Sequence, residues 1–380
     1  MSHSEDRSGG TRAGAPAVPL FVGAGLRGEE IAEHAQQALQ QLPTLATLIA
    51  RSSDPLAYKH ALAGLPLPEK LSRQLARLFA ESPELYQHHL IVAILADYLA
   101  AGSLRPEADR TALLIAALFH DIGLARLDSL IPASGDEASL SVIDAHPQAA
   151  AQLLRSCPEV PEAAVLAVLQ HHERIDGSGY PAHGAHSALH PLGELLAVAE
   201  AVGSVMPHRR PAAVLIWLRL IRSCFLSGAI DLLVRGLQGI VLPGHSQPSE
   251  ARLLILSEQL GGQVALFDDW RAQRSRLQAA ELPEFVIERL ERIYGMLTQL
   301  GIDPRRFELA LDYAINDEQV AQELMALVQE VDWQIGDLLR EIGRQALPKT
   351  GAWPCWRIEL EALVQRLRAA RGDHTASPSG

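Results

Sequence analysis

Residues 113–123 read Leu-Leu-Ile-Ala-Ala-Leu-Phe-His-Asp-Ile-Gly. Seven apolar residues run without interruption into a histidine and an aspartate, and Ile122-Gly123 follows. Upstream the segment opens at Pro106, and proline is tolerated at the first helical position because its missing N–H would be unpaired there anyway. Leu113, Leu114, Ala117 and Leu118 recur three and four apart, the period of a helical face. The spacing predicts a helix over 106–119 that breaks at Gly123 and carries an imidazole and a carboxylate at its C-terminal end.

The same period recurs on both sides. Gly28–Ala50, Pro68–Ala80 and Leu85–Ala101 precede it. Val160–Gln170, Pro191–Val205, Ala212–Leu226 and Ile230–Val241 follow it. Convincing alternating strands are absent from the pattern, so the expected fold class is all-α. Glu173–His190, rich in Gly, Ser, Pro and His, is long for a plain connector, and such loops often carry function. The Pro243–Pro248 breaker cluster marks a boundary. Beyond it Ser249–Gly261, Leu282–Leu300, Asp317–Arg344 and Arg357–Arg371 read as helices. The amphipathic stripe of Asp317–Arg344 suits either a pairing face for a homodimer or packing inside its own domain. The expected division is a disordered tail (1–16), an N-terminal helical region (17–82), a central domain (83–245), a C-terminal helical region (246–372) and a second disordered tail (373–380).

Composition narrows the function. The 380 residues are 48% hydrophobic and 21% charged, with a formal net charge of -12. That is enough apolar material for a core, and the wrong sign for a general nucleic-acid clamp. The bases are nearly all arginine, with lysine only at 59, 70 and 349. Cys157, Cys224 and Cys355 are far apart and read as buried residues of a reducing cytosol rather than a disulfide or thiolate metal framework. No signal peptide or membrane span is evident, so a cytoplasmic protein is expected.

Chemistry concentrates in the histidines. Nine of the fifteen fall between 88 and 190. Glu84 and His88 are four apart and project from one helical face. His120-Asp121 closes one helix, His146-Pro147 opens another, His171-His172-Glu173 closes a third, and Glu200 sits in an apolar helix. Imidazole nitrogen and carboxylate oxygen together suit first-row divalent metals. Asp121 at a helix end can bridge one ion held by His120 to a second, which fits a two-metal site inside a helical bundle.

The run His171-His172-Glu173-Arg174-Ile175-Asp176-Gly177-Ser178-Gly179-Tyr180-Pro181 resembles the signature of the HD-GYP family, a branch of the HD-domain metal-dependent phosphohydrolases. Residues 117–123 resemble its HD motif, Ala145-His146-Pro147 its following His-Pro element, and Pro191–Glu200 the helix after the signature loop. The resemblance spans residues 83–245. It implies an HD-domain helical bundle that hydrolyses cyclic di-GMP, a bacterial second messenger, to pGpG or GMP. It also implies two or three divalent metal ions, commonly iron or manganese.

Carried over by position, the metal ligands are Glu84, His88, His120, Asp121, His146, His171, His172 and Glu200, with Asp121 the catalytic bridge. Glu200 stands where an aspartate is usual. Asp176, Gly177, Gly179, Tyr180 and Pro181 would shape the substrate pocket, and the resemblance also implies a docking surface for GGDEF-domain proteins on this loop. Arg126 and Arg174 are the candidate phosphate contacts. Neutral imidazoles are needed for ligation, so metal binding is expected to weaken as the pH falls toward ~6.5. Leu124 stands where the family pattern has a lysine that contacts phosphate. This substitution raises the alternative of a catalytically impaired relative that binds the nucleotide or partner proteins.

Overall fold

A computed structural model of the chain describes residues 24–126, 145–176, 179–181, 188–209, 211–240, 250–279, 282–299, 307–316, 318–345, 362–363 and 365–366. Among them every regular element is a helix, as the apolar periodicity predicts. The expected tails, and most of Arg357–Arg371, lie outside the described residues. The chain divides into two compact units, Met1–Ala38 with Leu56–Glu200, and Leu39–Pro55 with Ala201–Gly380.

The first unit is built on α5 (Pro83–Gly102) and α6 (Glu107–Phe119), which pack along each other. In α5 nearly every residue from His89 to Ala100 is buried, and in α6 every residue from Ala112 to Phe119. A helix apolar on all sides is one surrounded by protein. Each fully buried Leu, Ile or Phe contributes roughly 1.5–3 kcal/mol relative to exposure. One charge enters this pair: Asp97 of α5 accepts from Arg110 Nη2 of α6 at 2.7 Å. Removing either partner would leave the other charge uncompensated in a largely buried position, which is strongly destabilising. Around the two lie α1 (Gly28–Gln40), α3 (Ala57–Ala63), α4 (Glu69–Glu81), α7 (His146–Arg155), α8 (Glu162–Gln170) and α9 (Pro191–Val205), the last running into the second unit. Helix α4, assigned from the sequence to the N-terminal region, packs on α5 within the same unit.

The second unit holds α2 (Pro43–Ala50), α10 (Pro211–Leu220), α11 (Ser227–Leu237), α12 (Glu250–Ala279), α13 (Glu284–Gln299), α14 (Phe307–Asn316) and α15 (Glu318–Gln345). Helices α10, α12, α13 and α14 all pack on α15. Its stripe Leu324, Leu327, Val331, Ile335, Leu338 and Ile342 is buried in the apolar core of this unit. The stripe therefore packs inside its own unit, one of the two roles its pattern allows.

Other boundaries moved for local reasons. Gly28–Ala50 is two helices, because Pro43 cannot continue α1 and instead opens α2. Helix α12 runs on through Gly261-Gly262 to Ala279, held to α15 where Gln263 Nε2 donates to the Val328 carbonyl at 2.9 Å. No described helix is long and apolar enough to cross a membrane.

Candidate metal centre

Four helix termini deliver the site. Helix α6 ends at Phe119, so His120 and Asp121 fall on its closing turn, and His146 is the first residue of α7. His171 and His172 follow the last residue of α8, and His88 lies in the second turn of α5. Gly123 joins two of these ends. A Cβ there would lie 2.5 Å from the His146 carbonyl oxygen and 3.0 Å from its Cα. The glycine thus permits a close approach between the turn after Asp121 and the start of α7, beyond its expected use as a helix stop.

Asp121 is buried and sits between two sets of imidazoles. Its Oδ1 is 2.9 Å from His146 Nε2, 3.2 Å from His171 Nε2 and 3.9 Å from His172 Nε2. Its Oδ2 is 3.4 Å from His120 Nε2 and 3.9 Å from His88 Nε2. Within the sets, His88 and His120 Nε2 are 3.2 Å apart, as are His146 and His171 Nε2. Among the described residues the potential ligand atoms therefore form two groups sharing one carboxylate: Asp121, His146, His171 and His172, and His88, His120 and Asp121. His120 Nδ1–H donates to the Ala117 carbonyl at 2.8 Å and His171 Nδ1–H to the Val168 carbonyl at 2.6 Å. Each bond fixes the tautomer that leaves Nε2 with a lone pair facing inward, the usual preparation of a metal ligand. Five imidazole nitrogens and a carboxylate, buried and convergent, fit first-row divalent cations.

The electrostatics point the same way. Burial pushes the His88 and His171 pKa values down to about 4, with the neighbouring imidazoles adding to the effect at both. Burial likewise holds His172 well below its ordinary value. Asp121 is the opposite case: burial would raise its pKa, but His120, His146 and His171 hold it well below the usual carboxylate range. Burial would also lower His120, yet Asp121 first and then Glu200 raise it above its ordinary value. The histidines thus differ: burial disfavours the proton at His88, His171 and His172, while at His120 a proton competes with a metal ion.

The remaining candidates are placed unevenly. Glu84 is exposed in the first turn of α5 and belongs to neither ligand group. It shares a face with His88, but it sits one turn nearer the helix start, where α5 has not yet entered the core. Glu200 is half-buried and acts on His120 through its charge, though it too lies outside the two groups. Arg126 ends the short 3-10 turn Leu124–Arg126, and its side chain lies outside the described residues, as does Gly177. Arg174 and Asp176 are half-buried in the turn after the His doublet.

Gly179-Tyr180 folds back on that doublet. The Tyr180 N–H donates to the His172 carbonyl at 3.1 Å. The Tyr180 ring stacks on His172 at 4.5 Å between centroids and 21° between planes, and meets His146 edge-on at 6.3 Å. A Cβ on Gly179 would overlap the same His172 carbonyl, so glycine is required for the loop to lie this close. Pro181 follows across a cis peptide bond.

Two contributors escaped the sequence reading. Gln170 Oε1 accepts from the His190 N–H at 2.7 Å and lies under Gly193, whose Cβ would be 2.9 Å from that oxygen. The glutamine so ties the far end of the loop to the start of α9. The other is His89, buried beside His120 with its Nδ1 on the Leu118 carbonyl at 2.8 Å. Nothing in the sequence could have marked either, because their partners are backbone atoms brought in by tertiary packing.

Residues 69–212 match the HD domain family. A cyclic di-GMP phosphodiesterase of Pseudomonas aeruginosa is 32% identical over 142 residues, which are 36% of this chain and 34% of that protein. A 3'3'-cGAMP-specific phosphodiesterase of Vibrio cholerae is 34% identical over 129 residues, 32% of this chain and 28% of that protein. The chain thus spans about a third of the length of these curated relatives. A solved HDG"Y"P protein from Bdellovibrio bacteriovorus matches with 20% identity and a TM-score of 0.37, covering 55% of this chain and 69% of that one. At that score the likeness carries no weight.

Proposed function

We propose that the chain, whose residues 69–212 match the HD domain family and carry motifs resembling those of HD-GYP proteins, is a metal-dependent phosphodiesterase that hydrolyses cyclic di-GMP to pGpG or GMP in the bacterial cytoplasm. The observation that carries this reading is Asp121, whose two oxygens face separate sets of imidazole nitrogens. The curated relatives, one acting on cyclic di-GMP and one on 3'3'-cGAMP, support the substrate class.

His146, His171 and His172 with Asp121 Oδ1 would hold one ion, and His88 and His120 with Asp121 Oδ2 the other, iron or manganese in each case. Glu200 adds negative charge on the His120 side. A pair of divalent cations supplies a hydroxide nucleophile at neutral pH and neutralises the charge that builds on a phosphodiester in the transition state. The chain's own residues do the rest. The Ala117 and Val168 carbonyls hold His120 and His171 in the ligating tautomer. Tyr180, stacked on His172, walls the entrance together with Gly179 and Pro181, and Asp176 and Gly177 complete that loop. Arg174 would offer a guanidinium to the substrate phosphates, and Arg126 is the second candidate for that role. The same loop is our candidate surface for GGDEF-domain proteins.

Leu124 favours a second reading, a nucleotide-binding relative with impaired turnover. The test is to incubate metal-loaded protein separately with cyclic di-GMP and 3'3'-cGAMP and to separate the products by chromatography. Release of pGpG or GMP supports the first reading. Retained nucleotide binding without product selects the second, and neither binding nor product refutes both.

A further inference from the structure

The ligand sets leave one imidazole beside the centre without a role. His89 is fully buried in α5. Its ring packs on that of His120, with centroids 4.7 Å apart and planes at 45°. Its Nδ1 lies 2.8 Å from the Leu118 carbonyl oxygen, an acceptor only, so Nδ1 carries the proton. Its Nε2 has no hydrogen-bond partner among the described residues and belongs to neither ligand group. A buried nitrogen left unpaired costs roughly 1–3 kcal/mol. An aliphatic side chain would fill the same space without that cost, so packing alone does not account for histidine here.

The acceptor explains it. The last carbonyls of a helix lack intrahelical partners, and Leu118 is in the last turn of α6. Beyond α6 the chain tightens: the Ile122 N–H reaches back three residues to the Phe119 carbonyl at 3.2 Å, and the Leu124 N–H to the Asp121 carbonyl at 2.8 Å. The Leu118 carbonyl is left to His89, while its neighbour, the Ala117 carbonyl, takes the Nδ1–H of His120. Two imidazoles on consecutive carbonyls close the helix, one from the turn itself and one from α5.

We propose that His89 is a positioning residue: by capping the Leu118 carbonyl it locks the closing turn of α6 to α5 and sets the aim of His120. The neighbouring His88 and the capped turn then approach each other in a fixed register, which brings the His88 and His120 Nε2 atoms within 3.2 Å. This inference rests on the two-metal reading above, and its test separates the two.

Manganese binding to the full chain, followed by electron paramagnetic resonance of the free ion, is compared for the native protein and for His89→Leu, His89→Asn and His89→Phe. Loss of a partner that orients a metal ligand typically costs 10–100-fold in affinity, and that is the loss expected at one manganese site in His89→Leu. The other site keeps its native affinity. Asparagine places an N–H where Nδ1 was, so His89→Asn binds both ions as the native chain does. Two native sites in His89→Leu, or an asparagine variant as weak as the leucine one, would overturn the proposal. Should His89→Leu fail to fold by circular dichroism, asparagine (donor kept) against phenylalanine (ring kept) makes the same comparison. Equal affinity in those two would overturn it. A native chain that binds no manganese would overturn the metal reading itself, and this inference with it.

Discussion

Asp121→Asn removes one charge and almost no volume, and its consequence for His120 can be worked out. In the native chain Oδ2 stands 3.4 Å from His120 Nε2. Opposite unit charges at that distance attract by roughly 5 kcal/mol at an effective dielectric of about 20. Burial opposes it, and the native His120 still titrates above its ordinary value. With the carboxylate gone, burial wins, as it does at His88 and His171, both pushed down to about 4. His120 in the variant is then expected to titrate below its ordinary value and to be neutral at pH 7. Proton–carbon NMR of the histidine Cε1–H groups in metal-free protein measures this, with His120 assigned by its own substitution. A His120 resonance in Asp121→Asn that still titrates above its ordinary value would refute the electrostatic account of the centre.

Three further outcomes follow from the same geometry. His88 and His171 have folded-state pKa values below the unfolded one, so the unfolded chain takes up protons first as the pH falls. Their contribution to stability is present above about pH 6.5 and lost down to about pH 4. It amounts to roughly 3 kcal/mol each as an upper figure, partly offset by His120, whose raised value favours the folded state on the acid side. Urea unfolding of metal-free protein at pH 7 and pH 4.5 checks this, and equal midpoints would contradict it. Gly123→Ala forces a Cβ to within 2.5 Å of the His146 carbonyl and is expected to destabilise by about 1–3 kcal/mol, as overpacking does. An unchanged unfolding midpoint would show that α7 does not need the close approach. Tyr180→Ala removes the ring stacked on His172, an aromatic contact worth about 0.5–1.5 kcal/mol, and is expected to destabilise the chain by about that much. Tyr180→Phe keeps the stack and stays as stable as the native chain by calorimetry, and a phenylalanine as destabilised as alanine would assign the effect to the hydroxyl instead.

Much of the first unit was legible in the sequence because its signals are local. Proline and acids open α6, apolar periodicity carries it, and the His-Asp doublet marks where it ends. The six residues His88, His120, Asp121, His146, His171 and His172 do converge, each carried on or beside a helix end that the local pattern marks. Glu84 shows where the logic stops. Sharing a helical face with His88 says nothing about depth, and the first turn of α5 is exposed. His89 and Gln170 were illegible because their partners are a backbone carbonyl and a backbone N–H set in place by tertiary packing. Which histidine governs the pH dependence was illegible for a related reason: burial and neighbouring charge, invisible in one dimension, move the histidines in opposite directions. The stripe of α15 was ambiguous from sequence because a face that pairs chains and a face that packs inside a unit have the same period.

The most direct test of the two-metal centre is a crystal of manganese-loaded protein measured at a wavelength where manganese scatters anomalously. The account predicts two peaks flanking the Asp121 carboxylate, one beside His146, His171 and His172 and the other beside His88 and His120. A single peak, or none within ligand distance of Asp121, would contradict it.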